Sequence, residues 1–426
     1  MKAIKRYLLD VKNIIYKSKA KVALFSILAL ILLITIPPYF YPLLHQLLPT
    51  SSSVNVRTSV MYRSCDIFKG RWVRDPKAPY YTNESCWAIH DNQNCMKYGR
   101  PDNEFMKWRW KPDQCELPIF NPAQFLEIVR GKSMAFVGDS LGRNHMQALM
   151  CQLLRVTYVE DVSPTTDYKS RTWLFRAHDF TLANFWSPFL VNANEAEPNG
   201  DPLNGVYNLY LDEPDKNWTM HINKFDYVII SAGQWFFRPV IYYENNKLIG
   251  CYSCNQANIN NLPMYYGYAR AFRTSFKALY GLNGFKGMTF LRTFSPAHFE
   301  NGEWNKGGNC IRKTPFKSNE TSLRGFMLET YMTQIEEFKD AAREAKRRGL
   351  KFRLLDITEV MLLRADGHPS IYGHWPHEKV LQYNDCVHWC LPGPVDVWND
   401  FMLEILKMES LSSFFSHIAK RAKNEP

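Results

Sequence analysis

The 426-residue chain has no cysteine before Cys65, one acidic residue in its first 21, and no internal repeat. The lack of a repeat excludes an array of stacked units. No Gly-rich loop of the kind that cradles phosphates is evident, so no bound nucleotide-type cofactor is expected. Extremes of composition are missing too. Hydrophobic residues make up 46 % and charged residues 22 %, which excludes disordered, collagen-like and coiled-coil chains. Length sets a ceiling of about three domains.

The charge is unevenly placed. Residues 1–21 hold Lys2, Lys5, Arg6, Lys12, Lys17, Lys19 and Lys21 against Asp10 alone, about half of the formal net charge of +11. The run Val22–Tyr41 then carries no charged side chain, and about 20 apolar residues suffice to cross ~30 Å of hydrocarbon. A basic flank before it and none after it predicts a cytoplasmic N-terminus, hence a single-pass type II anchor. A signal peptide is the alternative, but the run exceeds an h-region and lacks an A-x-A-like site. Pro37 and Pro38 shorten the span. The rest would face the secretory lumen, which removes nucleic acid as a partner. All ten cysteines follow the anchor, an even set suited to disulfides. So do three glycosylation sequons, at Asn83, Asn217 and Asn319.

The expected organisation is a basic tail (1–21), an anchor (22–41), a Ser-rich stem (42–60), a cysteine-rich lobe (61–120) and an α/β catalytic domain (121–426). Within the last, strands are expected at Met134–Val137, Tyr227–Ser231, Met288–Thr293 and Phe352–Ile357. Helices are expected at Leu141–Leu154, Met264–Leu282, Leu323–Arg348 and near Val395–Met408. Short apolar strands alternating with helices indicate a parallel sheet covered on both faces.

The sharpest signal is Met134–Ser140, an apolar strand entering Gly138-Asp139-Ser140 where a helix begins. A serine there projects from the carboxyl edge of the sheet, where ligands of such sheets bind, beside a helix N-terminus that favours developing negative charge. A plain N-cap role explains Ser140 equally well. A nucleophilic serine needs a base. Asp385-Cys386-Val387-His388 places an Asp three residues before a His, so that one imidazole nitrogen is held and the other faces the serine. His388 as an ordinary loop histidine remains open. The stretch Cys386-x-His388-x-Cys390 contains metal-ligand residue types, but its spacing fits no usual zinc pattern and the lumen oxidises thiols. No metal is expected. Cys251-x-x-Cys254 reads as a local disulfide, since no thioredoxin-like context surrounds it. The clusters Trp235-Phe236-Phe237 and Tyr265-Tyr266-x-Tyr268 suit either core packing or the apolar faces of sugar rings.

These motifs resemble the plant trichome-birefringence-like polysaccharide O-acetyltransferases, which are similar to SGNH hydrolases. The resemblance rests on Gly138-Asp-Ser140-x-x-Arg143-Asn144 and Asp385-x-x-His388. Further blocks agree: Cys65-Asp-Ile-Phe-x-Gly-x-Trp-Val, Asn94-Cys95-x-x-Tyr-Gly-Arg100-x-Asp102, Trp108-Arg-Trp110-x-Pro112 and Cys115-x-Leu-Pro118. It covers most of the chain after the stem and is strongest to the xyloglucan and mannan group, on Pro79–Asn83, Leu209–Pro214 and Asn384–Asp400. It implies an SGNH-like sheet and a Golgi enzyme with Ser140 as nucleophile, His388 as base and Asp385 orienting it. The partners implied are a hemicellulose acceptor and an acetyl donor that the sequence does not name. Gly138, Asp139, Arg143, Asn144, Gly233, Gln234 and Trp235 are candidates for the oxyanion hole or substrate contacts. A carbohydrate esterase with the same triad, and a non-catalytic glycan-binding protein, are the competing readings.

Overall fold

The computed structural model describes residues 65–167, 170–196, 205–254, 256–380 and 383–424, with side chains through residue 412. The basic tail, the Val22–Tyr41 anchor and the stem lie outside the described residues. Among the described residues no helix is long and apolar enough to cross a membrane. Asp66–Pro426 forms one compact unit.

In chain order its principal elements are β1 (Gly70–Arg74), β2 (Trp108–Pro112), α1 (Pro122–Ile128), β3 (Ser133–Gly138), α2 (Ser140–Leu153), β4 (Glu160–Asp161), β5 (Ser170–Phe175), β6 (Phe180–Trp186) and β7 (Val191–Glu195). Then come β8 (Tyr207–Pro214), β9 (Tyr227–Ser231), β10 (Val240–Glu244), β11 (Lys247–Tyr252), α3 (Met264–Gly281), β12 (Met288–Arg292), α4 (Gly325–Arg347), β13 (Lys351–Leu355) and α5 (Asp396–Asn424). The central sheet has seven strands in the order β13-β12-β9-β3-β6-β5-β4. Five of them run parallel, from β13 to β6. β5 and β4 add an antiparallel edge. The expected parallel sheet is therefore its core and not its whole. The cause is a hairpin: Asp179 takes a left-handed φ of 49°, which turns β5 back into β6.

β3 explains how the core is built. Every residue from Met134 to Gly138 is buried, as a strand between two parallel neighbours requires. Ala135 and Val137 face the cluster holding Phe272 and Phe276 of α3 and Phe338 of α4. On the other face Phe136 meets His145 of α2 edge-on at 5.0 Å, and His145 meets Trp398 of α5 at 5.2 Å. The buried positions of α3, Tyr268, Ala271, Phe272, Ser275, Phe276 and Leu279, recur at three- and four-residue spacing. That spacing gives a one-sided helix.

A second, four-stranded sheet, in the order β11-β10-β8-β7, packs on α3 and was not expected. Its signal is faint because β8 buries only Leu209 and Leu211. Its pairing with β10 is also parallel and non-local. The cysteine-rich lobe contributes the β1–β2 antiparallel pair, with Trp72 edge-on to Trp110 at 5.7 Å. Trp72 also donates its indole N–H to the Val360 carbonyl at 2.9 Å, across 288 residues of sequence.

Candidate active site

The nucleophile side is built by local geometry. β3 ends at Gly138, whose φ is 150° and whose missing Cβ would lie 1.8 Å from the Ser231 carbonyl oxygen. Only glycine fits there. Asp139 then caps α2 by accepting the Leu141 N–H at 3.0 Å. The capping role weighed for Ser140 thus belongs to Asp139, and Ser140 opens the helix with its hydroxyl free for other work. Ser140 remains partly exposed, unlike the fully covered strand behind it.

The base comes from 248 residues away. His388 Nε2 stands 2.6 Å from Ser140 Oγ, and His388 Nδ1 stands 2.7 Å from Asp385 Oδ2. The carboxylate can only accept, so Nδ1 carries the hydrogen and Nε2 accepts from the serine hydroxyl. Asp385 Oδ1 also accepts the Val387 and His388 backbone N–H groups at 3.1 and 2.9 Å. Burial pushes Asp385 up, but His388 and these N–H groups outweigh it and hold it down at about 2. Burial pushes His388 down, yet the Asp385 carboxylate more than offsets this and leaves it above the ordinary 6.5. A serine, an imidazole and an ionised carboxylate in this order can pass the hydroxyl proton to the ring once the ring is neutral.

Covalent and polar ties fix the loop. Cys386 is bonded to Cys310 and Cys390 to Cys95. Cys86–Cys151 and Cys251–Cys254 are also closed, Cys65 and Cys115 are disulfide-bonded, and no free cysteine remains. The expected pairing of the cysteines, including the local bond at Cys251–Cys254, holds. With both thiols spent, Cys386-x-His388-x-Cys390 offers no thiolate ligand.

Comparison with known proteins follows the same division of the chain. The PMR5 N-terminal domain matches residues 63–116, and the GDSL/SGNH-like acyl-esterase family found in Pmr5 and Cas1p matches residues 117–405. The chain belongs to this acyl-esterase family. It is 52 % identical over 400 residues to protein trichome birefringence-like 19 of Arabidopsis thaliana, covering 91 % of this chain and 94 % of that one. It is 40 % identical over 387 residues to xyloglucan O-acetyltransferase 4 of Populus trichocarpa, covering 91 % of each. Identity to xyloglucan O-acetyltransferase 2 of Arabidopsis thaliana is 41 % over 345 residues, covering 80 % of this chain and 83 % of that one. The resemblance drawn from the sequence motifs stands.

The remaining candidates divide. The Gly233 N–H, expected near a developing oxyanion, donates to Asp139 Oδ2 at 2.9 Å. It is spent, because Asp139 needs a second donor to offset full burial, which pushes its carboxyl up. The Gln234 amide donates to the Ser295 carbonyl at 2.9 Å, so it too is engaged in structure. Asn144 is wholly buried; its amide oxygen accepts the Trp389 N–H at 2.9 Å, and its NH₂ reaches the Trp389 carbonyl at 3.3 Å and Gln93 Oε1 at 3.0 Å. Asn144 therefore positions the residue after His388. Arg143, three residues beyond Ser140 on the same helical face, is partly exposed, with its guanidinium 5.2 Å from the Trp186 ring. Trp235 is partly buried and edge-on to Trp186 at 5.4 Å. Phe236 and Tyr268 are buried core, which rules out a sugar contact for them. Among the sequons Asn217 and Asn319 are exposed and Asn83 is half-buried.

Several positioning residues were not foreseen. His368 Nδ1 lies 2.6 Å from the His388 carbonyl oxygen, and its ring stacks on Trp389 at 4.0 Å. Burial holds that imidazole well below the ordinary histidine range. Arg100 donates to the His368 and Asp366 carbonyls at 2.8 and 2.6 Å. Arg292, buried beneath the elbow, donates to Ser231 Oγ from Nε at 2.9 Å and from Nη2. Arg100 falls inside a quoted motif, so its block was a usable signal. His368 and Arg292 carry no local pattern.

Proposed function

We propose that the chain is a Golgi O-acetyltransferase that moves acetyl groups onto hydroxyls of a hemicellulose, xyloglucan or mannan, through an acetyl-serine at Ser140. The observation that carries this reading is the 2.6 Å Ser140–His388 and 2.7 Å His388–Asp385 chain, in a protein similar to two named xyloglucan O-acetyltransferases.

Ser140 Oγ attacks the acetyl carbonyl of the donor while His388 Nε2 takes the hydroxyl proton. Asp385 stabilises the imidazolium and keeps its orientation. The oxyanion forms beside the start of α2, where first-turn N–H groups lack helical acceptors. The Ser140 N–H and the Arg143 guanidinium are the donors assigned to it; one such donor is worth about 10²–10³ in rate. The donor's leaving group departs with the proton from His388. A sugar hydroxyl then enters, gives its proton to the same nitrogen and attacks the acetyl-serine. Collapse of the second tetrahedral intermediate returns the proton to Ser140 Oγ. Donor and acceptor use the site in turn, as in ping-pong kinetics.

The family description as acyl-esterases favours a second reading, in which water resolves the acetyl-enzyme. One assay separates the two: the chain with an acetyl donor and a deacetylated hemicellulose oligosaccharide. Acetylated oligosaccharide supports the transferase, and free acetate alone supports the esterase. Neither product, with no acetyl adduct on Ser140 by mass spectrometry, overturns both. The type II topology rests on the basic 1–21 segment and the Val22–Tyr41 run. Protease added to sealed membranes should spare the bulk of the chain; digestion of that bulk overturns the topology.

A further inference from the structure

We propose that Trp186, with Arg143 and Trp235, forms the acceptor subsite, on which a neutral pyranose of the polysaccharide stacks while its hydroxyl reaches His388. The inference rests on the acetyl-transfer reading and adds a place for the sugar. Its basis is how three elements converge. β6 and β9 flank β3, and Gly138 is in register with Trp186 on one side and Ser231 on the other. Trp186 closes β6 and Trp235 follows β9, yet their rings meet at 5.4 Å and 84°. They therefore meet across the end of the strand that delivers Ser140.

The pair is partly exposed, whereas Phe189 and Phe236, against which Trp235 packs at 5.8 Å and through Phe189, are buried. The aromatic surface thus has a buried base and an accessible edge. Arg143 reaches from the first turn of α2 to the Trp186 ring at 5.2 Å. With the guanidinium over one part of the indole, the ring surface that stays accessible suits a sugar, because the apolar C–H face of a pyranose packs on it. The hydroxyls at its rim accept from the planar N–H fork. Hydroxyl acceptors are enough for that fork, so the neutral glycan of the acetyl-transfer reading is the ligand class. Arg143 links the pair to the nucleophile, since it lies three residues beyond Ser140 on α2 and its guanidinium stands over Trp186.

The test compares Trp186→Leu and Trp186→Phe in the transfer assay with deacetylated xyloglucan oligosaccharide as acceptor. Leu keeps apolar volume and loses the aromatic face; Phe keeps a face. The expected result is a KM for the acceptor raised tenfold or more in Trp186→Leu, with kcat within about threefold, and most of that affinity restored in Trp186→Phe. Tyr158→Ala, at a 92 % exposed position, should change neither value. An unchanged acceptor KM in Trp186→Leu overturns the subsite while transfer itself stands. Loss of kcat in both variants at unchanged KM also overturns it, by showing a structural role. No transfer by the native chain overturns the underlying reading instead. If Trp186→Leu fails to fold, as judged by its unfolding transition, the KM of Trp186→Phe against Trp186→Tyr decides. Retained affinity in both supports stacking, and loss in both overturns it.

Discussion

Ser140 and His388 meet within hydrogen-bond distance, but their surroundings are made in opposite ways. The serine sits where a buried strand turns into a helix; its placement follows from five residues, Met134–Gly138, and one cap, Asp139. The histidine sits on a stretch with no helix or strand from Val387 to Pro392. It is held instead by Cys95–Cys390, Cys310–Cys386, Asn144, His368 and the Asp385 bridge to Ser370. Backbone hydrogen bonds of a sheet pin a nucleophile cheaply because they exist for other reasons. An irregular loop has no such ladder, so its order is supplied by side chains and disulfides from distant sequence.

The largest effect tests the point where the two sides join. Ser140→Ala should reduce transfer by about 10³-fold or more while the unfolding temperature stays within a few degrees. Near-normal activity in that variant overturns the covalent route and leaves direct transfer assisted by His388. Asp385→Asn touches only the loop side. It should lower kcat by about 10³–10⁴ through the wrong tautomer. The native acid limb of activity should centre above 6.5, because a base must be neutral and Asp385 raises His388; in the variant the limb should move to lower pH. An unmoved limb would mean another group titrates.

Breaking the Cys95–Cys390 bond should separate the two sides most clearly. The bond closes residues 295 apart, and its loss should cost about 2–5 kcal/mol. In Cys95→Ser/Cys390→Ser, hydrogen exchange should rise around residues 386–393 and stay slow in β3 and α2. Equal loosening of both regions would show that the bond holds the sheet side as much as the loop. The smallest effect concerns Asp396, which accepts the Tyr81 hydroxyl at 2.8 Å and the Gly393 N–H at 3.1 Å where α5 begins. Burial raises its carboxyl to about 7. The folded chain then holds a proton that the unfolded chain releases near the ordinary 3.8. Its stabilisation is full below that value and is lost as pH rises toward 7. Unfolding temperature against pH should fall over this window and be flatter in Asp396→Asn. An identical slope would exclude Asp396 as a cause.

The sequence was most legible where structure is local. β9 runs over the expected Tyr227–Ser231 residues, and α2, α3, α4, β12 and β13 lie within about two residues of expectation, because apolar periodicity reports which face meets the core. α5 is longer than expected, running on to Asn424. That Ser140, His388 and Asp385 would meet was expected from residue types and spacing and from the family resemblance, and the structure brings the three side chains together. The oxyanion assignment of Gly233 failed for a different reason. A backbone N–H has no signature in sequence, and only the folded chain shows that Asp139 takes it. Asn144 was noted by its closeness to Ser140 along the chain. Its amide instead bonds the backbone of Trp389.

By itself the sequence determined the strand–Gly-Asp-Ser–helix elbow, the Asp-x-x-His pair and a set of cysteines suited to bonding. Those are properties of neighbouring residues, carried by charge, periodicity and turn chemistry. The tertiary structure decided which cysteines pair and that β4 and β5 turn the parallel sheet mixed. It alone put Gln93, Arg100 and His368 behind His388 and brought Trp186 against Trp235 beside Arg143. Each of those contacts joins residues whose separation along the chain gives no local constraint, so only the packing of the whole domain selects them.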